Sequence, residues 1–213
     1  MIQLLYNGQF ALFFLIIIAL VISLSFHEYG HALVAKLFGD DTAQRMGRLT
    51  LNPMAHIDAM GLLMVVLVGF GFAKPVPTNP RNFNSKWADL FVSSAGPAMN
   101  FLLALVSVNF FLFSRKIGIE WMDGEGQSTF FIYLAQINLI LMIFNLIPIG
   151  PLDGHYIMPY LLTPKMGAYY TYYNLRYGSM ALMGFVLLSM VGVPVFSFVW
   201  RIGAGLLQFI IFV

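Results

Sequence analysis

The sequence predicts an all-α, polytopic membrane protein with about five to six membrane helices and a re-entrant, partly β segment after the first. Three observations carry that fold class. The 213 residues are 60% hydrophobic. Only 9% are charged, against roughly 25% in an average soluble domain. The apolar residues gather into long stretches, and about 20 of them in a helix span a bilayer. With a mean hydropathy of +0.82, the chain cannot clothe a water-facing surface, so its solvent is lipid.

The first apolar stretch runs from Phe10 to about Phe38 and stops at Gly39-Asp40-Asp41. At 1.5 Å per residue it measures about 43 Å, enough to cross and project. Met1–Phe10 carries no charged side chain, so it lacks the basic start of a signal peptide, and the stretch reads as a retained helix. Met60–Phe72 is short for a crossing and holds Gly61, Gly69 and Gly71. Between them, Arg48–Asn52 alternates polar and apolar residues, a strand pattern. Ala73–Pro80 is too rich in proline for a helix and reads as extended. Two more long stretches come next, Trp87–Phe113 and Ser128 to about Ile147. The tail, Gly178–Val213, is expected to form two helices broken near Gly192-Val193-Pro194.

Charge selects a topology. If Met60–Phe72 dips in and returns, Lys36, Arg45, Arg48, Lys74, Arg81, Lys86, Lys165 and Arg176 share one side. Arg115 and Lys116 then stand opposite, beside Glu120, Asp123 and Glu125. That arrangement obeys the positive-inside rule, whereas a spanning segment splits the cations evenly. Irregular backbone at membrane depth must border protein or water, so this segment is expected to border a hydrated cavity. Composition excludes other classes. The absence of cysteine removes a disulfide scaffold and a thiolate zinc site. A net charge of +2 without a basic stripe removes nucleic-acid binding.

The strongest chemical signal is His27-Glu28-Tyr29-Gly30-His31, late in the first stretch. Histidines spaced i, i+4 share a helix face, so both rings can reach one metal ion. Glu28, next to His27, can touch water on that ion without ligating it. The bland alternative is two packed histidines with a paired glutamate. At membrane depth that alternative weakens, because intramembrane ionisable residues are costly and face the bundle interior. Catalytic zinc takes three protein ligands and keeps one open position. Asp153, in Asn145-Leu146-Ile147-Pro148-Ile149-Gly150-Pro151-Leu152-Asp153-Gly154, has apolar flanks and a helix-breaking turn that can aim it inward. An ordinary aspartate in a Pro-Gly turn remains the alternative on that segment alone.

These motifs, with Gly96-Pro97-Ala98-Met99-Asn100 between them, resemble the site-2 protease family of intramembrane zinc metalloproteases, here a short prokaryotic member. The resemblance covers about Val21 to Leu162 and shows no inserted soluble domain of the PDZ or cystathionine-synthase-repeat kind. It implies one zinc per chain, held by His27, His31 and Asp153, with Glu28 as catalytic acid/base. It implies peptide hydrolysis by zinc-activated water in or near transmembrane segments of membrane-protein substrates. It places the site on the cytoplasmic side of a multi-pass cell-membrane protein, in accord with the charge count. The expected organisation is one domain over 1–213, with a catalytic core at about 10–162 and C-terminal helices at about 178–213.

Asn145 and Asn100 are the expected substrate-binding residues, since an unwound substrate helix exposes backbone groups that an amide can pair. Bridging between helices is the alternative for each. Arg48–Asn52 could pair with substrate by strand addition, or form a plain interfacial loop. His56 and His155 read as loop histidines, with an outer-shell role open to His155. The tyrosines from Tyr169 to Tyr177 read as an interfacial belt. An inactive scaffold that binds transmembrane partners is the main rival function, and a metal transporter the second. The first lacks a damaged site, and the second lacks acidic or histidine residues spread along a path.

Overall fold

The computed structural model describes all residues, Met1–Val213. Its α-helices run in the order α1 (Ile2–Tyr6), α2 (Phe10–Leu37), α3 (Thr42–Arg45), α4 (Ala59–Val68), α5 (Ala88–Lys116), α6 (Glu125–Asn145), α7 (Asp153–Ile157), α8 (Pro164–Met190) and α9 (Ser197–Leu207), and there is no strand. Three helices, α2, α5 and α6, are long and apolar enough to cross a membrane. The other two apolar helices, α4 and α9, are shorter. α8 has the length, but Lys165, Asn174, Arg176 and its tyrosines dilute the apolar run. The tail helix therefore begins at Pro164 rather than Gly178, and the break falls after Met190, where Gly192 takes φ +93°.

α2, α5 and α6 pack on one another, and α9 covers α6. Much of the interior is small or polar: Ala19, Ser23, Ala32, Ala35, Ala104, Ala135, Asn100 and Asn138 are all buried, alongside larger apolar side chains such as Phe111 and Leu139. The large side chains Phe14, Ile18, Leu102, Val106, Phe110 and Phe113 face outward. This is the packing of helices whose surroundings are apolar, where small residues allow close approach and polar ones bond across the seam. Gly30 of α2 shows why. A Cβ there would stand 2.5 Å from Met99 Cγ and 2.8 Å from the Ala95 carbonyl oxygen of α5.

The expected strand at Arg48–Asn52 does not form. The Thr50 hydroxyl accepts from Asn52 N–H at 3.1 Å, and the Asn52 side chain accepts from Met54 N–H at 3.1 Å, capping a short turn at Pro53–Ala55. Side chains bonded to their own backbone compete with a ladder. Arg48 is buried and donates to the Lys74 carbonyl. One isolated antiparallel bridge, Ile57 with Ala73, is the sole β pairing. With Lys74 N–H on the His56 carbonyl at 2.8 Å, it closes the excursion through α4, so the chain leaves and returns at one place.

Asp40 organises the connection from α2 to α5. It is fully buried and accepts from Thr42 Oγ1 at 2.5 Å, Thr42 N–H at 3.1 Å, Asn79 N–H at 2.6 Å and Asn82 Nδ2 at 2.8 Å. The exit of α2 is thereby tied to the approach to α5.

Candidate metal centre

Three helices deliver the site. α2 carries His27, Glu28 and His31, α5 lies against their rings, and α7 begins at Asp153. Gly96 of α5 makes room, because a Cβ there would overlap His31 Nε2 and stand 2.5 Å from His27 Cε1. Gly154 does the same at the other wall, where a Cβ would stand 2.6 Å from the Ile147 carbonyl oxygen and overlap that of Leu146. α8 holds the turn before Asp153. Asn174 accepts from Gly150 N–H at 2.7 Å, and Tyr170 donates to the Pro148 carbonyl at 2.7 Å. Tyr170 thus has a partner inside the protein, while Tyr169, Tyr172, Tyr173 and Tyr177 are exposed.

The donor atoms converge. His27 Nε2 and His31 Nε2 lie 3.1 Å apart. Asp153 Oδ2 is 3.3 Å from His27 Nε2, and Oδ1 is 3.4 Å from His31 Nε2. One ligand atom from each of the three residues falls within a 4.8 Å cluster. The far side of each ring is occupied. His27 Nδ1 donates to Asn100 Oδ1 at 2.6 Å, and His31 Nδ1 donates to the Val92 carbonyl at 2.7 Å. A neutral imidazole with its proton on Nδ1 presents a lone pair at Nε2. With both rings neutral, two such lone pairs and a carboxylate face one another, and buried Asp153 Oδ2 has no hydrogen-bond donor. A set made only of acceptors is stable around a cation, and two histidines with one carboxylate suit zinc.

Glu28 is buried on the same helix, outside that cluster. Its Oε2 accepts from Val76 N–H at 3.0 Å. Val76 sits between Pro75 and Pro77, so it owns the one N–H of that triplet.

The other expected residues divide between the interior and the helix ends. Asn100 is fully buried, with its amide committed to His27, Asn138 and the Ser23 carbonyl; it bridges helices behind His27. Asn145 stands near the end of α6, with Nδ2 on the Leu141 carbonyl at 3.0 Å. His56 is fully buried and donates from Nε2 to the Thr50 carbonyl at 2.7 Å, away from the cluster. His155 is buried against Tyr156 and Tyr170 and does not join the ligand set. Sequence reasoning passed over Val76, Val92, Ser23 and Asn138. Asn138 alone carried a signal, as an amide inside the apolar run of α6.

A family model described as peptidase family M50 matches residues 15–189. The chain belongs to peptidase family M50. Family M50 is the site-2 protease family of zinc metalloproteases. This M50 chain is 41% identical over 156 residues to "Putative zinc metalloprotease YwhC" of Bacillus subtilis, covering 72% of this chain and 71% of that one. It is 31% identical over 160 residues to "Putative zinc metalloprotease Rip2" of Mycolicibacterium smegmatis, covering 59% of that protein. It is 26% identical over 151 residues to "Zinc metalloprotease MJ0392" of Methanocaldococcus jannaschii, covering 35% of that protein. No solved structure matches the M50 chain. The metal the family implies is zinc, and the acceptor-only cluster of His27, His31 and Asp153 fits it.

Proposed function

We propose that this M50 chain is an intramembrane zinc metallopeptidase that hydrolyses peptide bonds in or near the transmembrane segments of membrane-protein substrates. The observation that carries this reading is the convergence of two imidazole lone pairs and an undonated carboxylate beside buried Glu28, on a helix apolar enough to cross a membrane. His27 and His31 lie about 15 Å and 9 Å along α2 from its end at Leu37, so the site sits below the helix terminus rather than at it.

His27, His31 and Asp153 would hold the zinc. When bound, zinc supplies Lewis acidity that polarises a carbonyl and acidifies water. Glu28 accepts the proton of the attacking water at its carboxylate and passes it to the leaving amine. Val76 N–H fixes one carboxylate oxygen, leaving the other for proton transfer. Asn145 serves the substrate backbone, because its carbonyl oxygen is uncommitted while its Nδ2 is anchored on Leu141. Asp153, His27, Glu28 and His31 are all present, which gives no reason to favour the inactive-scaffold reading.

Glu28→Gln tests the assignment. Glutamine keeps the volume and polarity but cannot accept the proton at neutral pH. The variant should retain zinc and lose cleavage of a model transmembrane substrate by at least about 100-fold, the usual weight of a general base. Cleavage at the wild-type rate with zinc bound would remove Glu28 from the mechanism.

A further inference from the structure

Behind His27 lies a buried amide chain that no part of the proposed chemistry uses. Asn100 Nδ2 donates to the Ser23 carbonyl at 3.2 Å and to Asn138 Oδ1 at 2.7 Å. Asn138 Nδ2 donates to the Leu134 carbonyl at 2.8 Å and to Ser23 Oγ at 2.8 Å. Ser23 Oγ spends its own proton on the Ala19 carbonyl at 2.7 Å. Ser23, Asn100 and Asn138 are all fully buried and belong to α2, α5 and α6.

The orientation of an asparagine amide is normally settled by its partners. Here the partners permit one solution. The Leu134 carbonyl can only accept, and Ser23 Oγ has no proton left, so both need the NH2 of Asn138. That turns Asn138 Oδ1 toward Asn100. Asn100 then faces two acceptors, Asn138 Oδ1 and the Ser23 carbonyl, and must present its own NH2 to them. Its Oδ1 is left for His27, and an oxygen acceptor there requires the proton on Nδ1. In the neutral ring His27 Nε2 is thereby the bare lone pair, aimed at His31 and Asp153. Backbone carbonyls at two points anchor the chain, so reversing either amide would set oxygen against oxygen. Leaving a buried polar group without its partner is costly, which holds both amides in this orientation.

We infer that Asn138 and Ser23 are positioning residues for the metal centre, fixing the tautomer and ring orientation of His27 through Asn100. The inference rests on the metalloprotease reading and adds to it Asn138 of a further helix, α6, and Ser23 of α2 itself. His31 has no such dependence, because its Nδ1 partner is the Val92 backbone carbonyl. The relay therefore acts on one ligand of the three.

Zinc affinity by chelator competition, and the visible absorption of the Co2+-substituted protein, test this on purified full-length chain. Asn138→Leu keeps the side-chain volume, frees one Asn100 N–H and loosens the amide that holds His27. It should weaken zinc binding about tenfold, the low end of the 10–100-fold range for groups behind a ligand. It should also shift the Co2+ bands. Ser23→Ala removes one hydroxyl and should move both readouts the same way by less; it carries the test if Asn138→Leu does not accumulate. Asn109→Leu is the structural control. Asn109 is another α5 amide, tying the Ile210 carbonyl at 2.6 Å and Phe212 N–H at 2.8 Å, with no route to His27. It should lower thermal stability and leave zinc affinity and the Co2+ bands unchanged. Wild-type affinity and spectrum in Asn138→Leu and Ser23→Ala, or an affinity loss equalled by Asn109→Leu, would overturn the relay while leaving the metal centre intact. A wild-type protein that binds no zinc would instead overturn the metal centre, and the relay with it.

Discussion

Gly96 shows how one missing atom shapes the candidate metal centre. Replacing a helical glycine by alanine ordinarily favours the helix by about 1 kcal/mol. In α5 the added methyl would enter the space of His31 Nε2 and press on His27. Gly96→Ala is therefore expected to retain helical content by circular dichroism but to purify with less than a tenth of the wild-type zinc. Normal zinc content would mean that the rings can retreat without losing their aim. At this scale the sequence was partly legible. His27, Glu28 and His31 form a local helical pattern, and Asp153 stands out by its apolar flanks. Asn100 was visible as a polar residue at membrane depth, but its role depends on which way an amide points, and that is set by Ser23 and Asn138 on two other helices. Val76 was not legible, because its contribution to Glu28 is a backbone N–H and carries no residue-type signature.

Among the elements, the loop from Asn79 to Asn82 depends on a single carboxylate. Burial pushes the Asp40 carboxyl up, but the donors of Thr42, Asn79 and Asn82 outweigh it and hold the group below the ordinary carboxylate value. A depressed folded value means that Asp40 stabilises the protein above its unfolded value of about 3.9, and that this stabilisation disappears as pH falls through the lower folded value. Asp40→Asn should flatten this acid limb of the thermal midpoint in detergent. Asp40→Ala should destabilise by about 2–3 kcal/mol at neutral pH and expose residues 79–84 to protease. An acid limb unchanged in Asp40→Asn would assign it to another group. The sequence located the long helices to within a few residues, since apolar runs of that length admit little else. It failed at Arg48–Asn52, where alternation suggested a strand. Thr50 and Asn52 turn their side chains onto the backbone, and Arg48 points inward to Lys74. Periodicity registers polarity and is blind to such local bonds. It also started the tail helix too late, because Lys165, Asn174 and Arg176 masked a helix that begins at Pro164.

For the whole molecule, the question of side turns on the excursion through α4. α4 has 10 residues and so reaches about 15 Å, half of a hydrocarbon core of about 30 Å. Its two flanks meet at the Ile57–Ala73 bridge and at the bond from Lys74 N–H to His56. Asp40, just beyond α2, holds Asn79 and Asn82, just before α5. The exit of the first long helix and the start of the next therefore share one end of the bundle. The same arrangement gathers Arg45, Arg48, Lys74, Arg81 and Lys86 at that end, and from the positive-inside rule we propose that this end faces the cytoplasm. Glu120 lies beyond the far end of α5, a helix of 29 residues that measures about 43 Å. The native chain has no cysteine, so single cysteines report without background. Gln44, Arg81 and Glu120 are exposed and suit the purpose, whereas buried Arg48 does not. In oriented vesicles, Gln44→Cys and Arg81→Cys should react with an impermeant maleimide from the same side, and Glu120→Cys from the other. Labelling of positions 44 and 81 from opposite faces would require α4 and its flanks to cross the bilayer. That outcome would break the bridge at Ile57, strand Asp40 away from Asn79, and remove Val76 from Glu28, so it would sink the topology and the placement of the proposed catalytic base together.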